Sequence, residues 1–165
     1  MSCLIQLFQR CRVIPAVLLL GVLSGCGGKV DSGPALVPVT GKVILDGKPL
    51  VGATVTFNPT QGTPGNGAFG VTDAEGKFTL TDYSLNPGCP AGDYGVTFSR
   101  MTQPDGSPIP NGANRGEVGM VEQMPTVYTI FKPHAIIQGA KVPASGAQFD
   151  FLLDSKLRPP PSLFQ

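Results

Sequence analysis

The sequence has no tryptophan and a single histidine, His134, and only 14% of its residues are charged. One imidazole leaves few ways to build a hydrolytic triad or a metal site. Twelve Lys and Arg against eleven Asp and Glu give a net charge of +1, so no basic surface is predicted and nucleic acid is not an expected partner. Helix-compatible stretches are scarce as well. With 22 Gly and 17 Pro among 165 residues, nearly a quarter of the chain opposes helix interiors, which excludes a helical bundle. The 41% hydrophobic content is nevertheless too high for a wholly disordered chain. The length fits one β-rich domain with appendages.

The first appendage is N-terminal. Met1 to Arg12 carry Arg10 and Arg12 and no acid, and Val13 to Leu23 form an apolar run broken only by Pro15 and Gly21. At about 1.5 Å per residue this run crosses only half of a ~30 Å hydrocarbon core, so it reads as the apolar region of a leader. It ends in Leu23-Ser24-Gly25-Cys26. That ending resembles the lipobox of bacterial lipoproteins.

The resemblance implies that residues 1–25 are a signal peptide and that Cys26 is the lipidation site, carrying diacylglyceryl and acyl chains such as palmitate. The membrane is then a partner, held through the N-terminal lipid. Gly27 stands where an enteric inner-membrane retention signal would be Asp, which points to a cell-envelope, outer-membrane location. The alternative is an ordinary cleaved leader followed by an incidental cysteine.

Cys3 and Cys11 leave with the leader and Cys26 is taken by lipid, so Cys89 alone remains. It cannot form an intramolecular disulfide. It is expected to be a small packed hydrophobe or a site of intermolecular pairing.

Residues 26–38 read as an acylated N-terminus and flexible spacer, and residues 155–165 as a Pro-rich tail. Between them, residues 39–154 show period-two alternation at Val39–Leu45, Ala53–Phe57, Tyr94–Ser99 and Phe149–Leu153. Shorter runs lie at Phe69–Thr72, Lys77–Leu80 and Ala135–Val142. Seven strands cannot bury their faces in one isolated sheet, so the expected fold is all-β, a single seven-stranded β-sandwich. The expected core is Val43, Leu45, Val55, Phe57, Val71, Phe78, Leu80, Tyr94, Val96, Phe98, Phe149 and Phe151. Residues 101–124 read as a long polar loop, the candidate contact region.

The turn residues between these strands are specific. Val39-Thr40-Gly41-Lys42-Val43, Asp46-Gly47-Lys48-Pro49-Leu50, Gly52 to Phe57, Thr72 to Phe78 and Pro90-Ala91-Gly92-Asp93-Tyr94 together resemble the carboxypeptidase regulatory-like domain, a transthyretin-like (prealbumin-like) sandwich. The resemblance implies a non-catalytic binding or structural module in the envelope, with a protein or glycan partner. A carbohydrate- or peptidoglycan-binding module is an alternative, as is a small transthyretin-related hydrolase. That hydrolase uses several His and Arg residues and a C-terminal Tyr-Arg-Gly-Ser motif, which this sequence lacks.

Other patterns reduce to structure. Gly65-Asn66-Gly67-Ala68-Phe69-Gly70 matches G-x-G-x-x-G on paper but leads into a predicted strand, whereas dinucleotide binding needs a helix N-terminus there. Asp73 and Glu75 flank a turn and are too few for calcium. Lys42 and Asp150 occupy strands comparable to those crosslinked in collagen-adhesin sandwiches, but alternation points both outward. His134 reads as a surface or strand-edge residue. No catalytic residue, cofactor or metal ligand is predicted.

Overall fold

Val39, Gly41 and Val43 are buried while Thr40 is exposed and Lys42 half-buried, the signature of a strand with one face against a core. The computed structural model describes residues 33–110, 112–113, 119–133 and 137–158. The leader, Cys26, most of the expected spacer, His134 and the end of the Pro-rich tail lie outside the described residues.

In chain order the strands are β1 (Leu36–Val37), β2 (Val39–Leu45), β3 (Lys48–Pro49), β4 (Thr54–Pro59), β5 (Ala68–Val71), β6 (Lys77–Thr79) and β7 (Thr81–Asp82). They continue as β8 (Cys89–Pro90), β9 (Gly92–Ser99), β10 (Met101–Thr102), β11 (Val121–Glu122), β12 (Gly139–Val142) and β13 (Ala147–Leu153). One short helix, α1 (Thr126–Thr129), precedes β12. The described residues are therefore all-β apart from one helical turn.

Five strands form one sheet in the order β12-β9-β4-β5-β7. Four form a second, in which β13 and β3 flank β2 and β6 also pairs with β2. Every pairing is antiparallel except β13 with β2, which run parallel in register from Ala147 opposite Val39 to Leu153 opposite Leu45. At the end of β2 the chain reverses through Asp46 (φ 50°) and Gly47 (φ 77°). Two consecutive left-handed residues match the twist of a tight hairpin, which is why Asp-Gly occupies this turn.

Aromatic rings fill the space between the sheets. Phe57 of β4 lies 5.7 Å from Tyr94 in its own sheet, and 5.6 Å from Phe149, 6.3 Å from Phe151 and 6.4 Å from Phe78 in the other. Phe98 meets Phe151 edge-on at 5.1 Å. Such pairs contribute about 0.5–1.5 kcal/mol each beyond the area they bury. The Tyr128 ring of α1 closes the margin against Phe98, its hydroxyl accepting from the Asp154 amide at 3.0 Å.

Three expectations change. Thirteen strands rather than seven occur among the described residues; each of the seven predicted runs meets a strand, and the six others are two residues long. Such short pairings leave no periodicity to read. Val71 is 57% exposed and not a core residue, because β5 turns Ala68 and Gly70 inward instead. A Cβ on Gly70 would come within 2.5 Å of the Thr79 carbonyl oxygen, so a small residue sets that register. Finally, residues 36–37 are not free spacer: β1 pairs with β8, Leu36 opposite Pro90 and Val37 opposite Cys89.

Gly41 is the tightest point of the second sheet. A Cβ there would strike the Phe149 carbonyl oxygen and lie 2.5 Å from the Phe78 ring. Gly41→Ala is therefore expected to destabilise the fold by about 1–3 kcal/mol, the usual cost of overpacking. Gly33→Ala, with nothing within 4 Å of the new methyl, should stay within about 0.5 kcal/mol of wild type. Chemical denaturation of the two variants checks this.

Candidate interaction surfaces at the two ends of the fold

β4 and β9 pair from Thr54 opposite Ser99 to Pro59 opposite Tyr94. This ladder has two ends. At the Thr54–Ser99 end the chain leaves into the 101–124 segment, and at the Pro59–Tyr94 end lie β1, β8 and the first described residues.

The 101–124 segment is not structureless at its root, where β10 and β11 pair with Met101 opposite Glu122. Glu122 holds the root together. Its Oε1 accepts from the Arg100 amide at 2.8 Å and the Met124 amide at 2.9 Å, and its Oε2 accepts from Ser99 Oγ. Gln123 Nε2 donates to Thr102 Oγ1 at 3.0 Å. This carboxylate organises backbone rather than chemistry, a role the sequence alone does not signal. Around it Met101 and Val121 stay exposed, and Met101, Ile109 and Met120 line a recess with Gly52, Thr54 and Ser99.

At the opposite end Cys89 is fully buried. Its Sγ donates to the Pro90 carbonyl at 3.3 Å, and Tyr94 Oη donates to the same oxygen at 2.8 Å. Burial pushes both the thiol and the phenol above their ordinary values. Burial and a raised pKa make Cys89 a packing residue, which rules against intermolecular pairing in the folded state.

The neighbouring loop Asp82–Asn86 is tightly built. Asp82 Oδ1 accepts from the Ser84 and Asn86 amides, both at 2.8 Å, and Oδ2 accepts from Asn86 Nδ2 at 2.9 Å. The Asn86 side chain first, then the two amides, hold the Asp82 carboxyl below the ordinary aspartate value. Between these anchors Tyr83 and Leu85 project to solvent. Sequence reasoning missed both, since neither belongs to an alternating run.

Of the remaining sequence candidates, Lys42, Asp73 and Asp150 line one concavity together with Lys77. Asp73 Oδ1 accepts from the Glu75 and Lys77 amides at 2.9 and 2.8 Å, so it serves its own turn. Gly65–Gly70 leads into β5 and not into a helix. Lys42 and Asp150 are cross-strand neighbours on the outer face of the second sheet, with Asp150 exposed. Among the described residues no three His, Cys, Asp or Glu come together to hold a metal ion. None of the described helices is long and apolar enough to cross a membrane.

No family model matches the chain, and no curated protein matches it. Among solved structures, the crystal structure of a 9R-lipoxygenase from Cyanothece PCC8801 aligns over 72% of this chain and 16% of its own, at 20% identity and a TM-score of 0.32. This chain thus spans about a sixth of that protein's length. At that similarity neither its fold nor its activity transfers.

The buried thiol yields a direct test. In the folded domain lacking residues 1–26, Cys89 should resist maleimide or disulfide reagents at pH 8 and react fully once denaturant is added. Rapid labelling of the native domain would contradict the packing assigned to it.

Proposed function

We propose that this protein is a lipid-anchored envelope protein whose β-domain serves as a non-catalytic binding or structural module. In this reading residues 1–25 are removed as a signal peptide, Cys26 carries the lipid, and the two sheets form a sandwich of the transthyretin-like, carboxypeptidase regulatory-like kind. The apolar run ending in Leu23-Ser24-Gly25-Cys26 supports the anchor. Turn chemistry supports the family: Asp46-Gly47 forms the tight β2–β3 reversal, Glu75-Gly76 closes the turn before β6, and Pro90-x-Gly92-x-Tyr94 leads into β9 with a buried tyrosine.

One observation carries the functional reading. The chain enters the domain beside β1 and β8, whereas the 101–124 segment leaves from the other end of the β4–β9 ladder. A tether that enters at one end leaves the opposite end, with Met101 and Val121 exposed at a root held by Glu122, available to a partner. A loop on a rigid sheet edge is a common place for a partner to bind. The partner class that fits is an envelope protein, and the location that Gly27 favours is the outer membrane.

Metabolic labelling with an alkynyl fatty acid tests the anchor. Wild type should take up the label and lose residues 1–25, while Cys26→Ala should remain unlabelled and keep the leader. Equal labelling of both, or wild-type protein with residues 1–25 still attached, would overturn the proposal.

A further inference from the structure

Leu85 adopts φ 65°, a left-handed conformation that favours glycine or asparagine, yet it is a branched hydrophobe and 72% exposed. Nothing in the fold repays that conformation by packing. Two residues earlier Tyr83 is 58% exposed, its ring supported by Phe69 at 5.4 Å. The loop is held rigidly in this form: besides the Asp82 carboxylate bonds, the Leu85 amide donates to the Asp82 carbonyl at 3.0 Å and the Asp82 amide to the Asn86 carbonyl at 2.9 Å. Two apolar side chains are thus presented outward by a preorganised turn.

Its position gives the occupant. The concave surface beside the loop is lined by Asp82, Tyr83 and Asn86 together with Gly33, Pro34 and Leu36, the first described residues of the chain. Seven residue steps separate Gly33 from Cys26. Even fully extended, at no more than ~3.6 Å per residue, they reach about 25 Å. A lipid on Cys26 therefore keeps this loop within reach of the bilayer surface.

We propose that the Asp82–Asn86 loop is a membrane-contact element, with Tyr83 and Leu85 seated in the interfacial region of the bilayer that holds Cys26. The inference rests on the reading of Cys26 as lipidated. Tyrosine is suited to that depth because its ring is apolar and its hydroxyl stays wet, while leucine supplies area that water disfavours. Neither Gly33–Pro38 nor Asp82–Pro90 contains Lys or Arg, so the contact uses no attraction to anionic lipid. Two side chains bind a membrane weakly on their own. A short tether makes the contact intramolecular, and its effective concentration does the rest. The loop would then fix which end of the domain faces the lipid.

Because the protein has no tryptophan, Tyr83→Trp creates a single tryptophan that can be excited apart from the remaining tyrosines. Natively acylated mature protein, beginning at Cys26, is reconstituted into phosphatidylcholine vesicles and recovered by flotation. The expected result is a blue-shifted emission, quenched by brominated lipid and unaffected by salt. Leu152→Trp, 73% exposed on β13, should emit as in water. Adding Leu85→Asn, a residue suited to the left-handed position, should abolish most of the shift with no loss of Tm.

Water-like emission from the Tyr83→Trp protein that floats with the vesicles would overturn the contact and leave the anchor standing. A shift produced by soluble peptidoglycan fragments and not by vesicles would reassign the loop to a glycan and likewise overturn it. Protein that does not float would overturn the anchor, and the contact with it.

Discussion

The parallel pairing of β2 with β13 is the constraint on which the rest of the structure depends. It joins residues more than a hundred positions apart, register for register, and brings Phe149 and Phe151 against Phe57 of the other sheet. Without β13, Phe57 would lose Phe149 and Phe151 as ring neighbours, and Phe98 would lose Phe151. Closing so long a loop costs entropy that grows only slowly with length, and the buried aromatics offset it. Gly41 shows how close the approach is: the strand has no room for a methyl group where the backbone of β13 passes.

With the sheets fixed in this way, the two ends of the β4–β9 ladder become different surfaces. One end gathers β1, β8, buried Cys89 and the Asp82–Asn86 loop. The other carries the β10–β11 root, where a single carboxylate, Glu122, satisfies two backbone amides and a hydroxyl. Both are loop regions whose backbone polar groups are met by acidic side chains, so the exposed apolar residues they carry are held in place rather than left to collapse inward.

Much of the fold is legible in the sequence because period two is a strong signal wherever one face of a strand is buried. Val39–Leu45, Tyr94–Ser99 and Phe149–Leu153 needed nothing more. The signal fails where small residues face inward: in β5 the inner positions are Ala68 and Gly70, so alternation read from the large residues puts Val71 on the wrong side. It fails again for pairs of two residues such as β1 with β8, which carry no period, and for Val127 and Tyr128, buried from a helical turn too short to show one. Site residues are harder still. Glu122, Tyr83 and Leu85 owe their significance to what lies across space from them, and nothing in their local sequence says that one caps a loop root and two are pushed into solvent.

The account makes the domain one cooperative unit closed by its last strand. Native-state hydrogen exchange tests this most directly. The amides of Val43 in β2 and Phe151 in β13 should open only with the whole domain, at a common free energy equal to that of global unfolding. Exchange at Phe151 that is faster than at Val43, through an opening that leaves β2 and β4 protected, would contradict it.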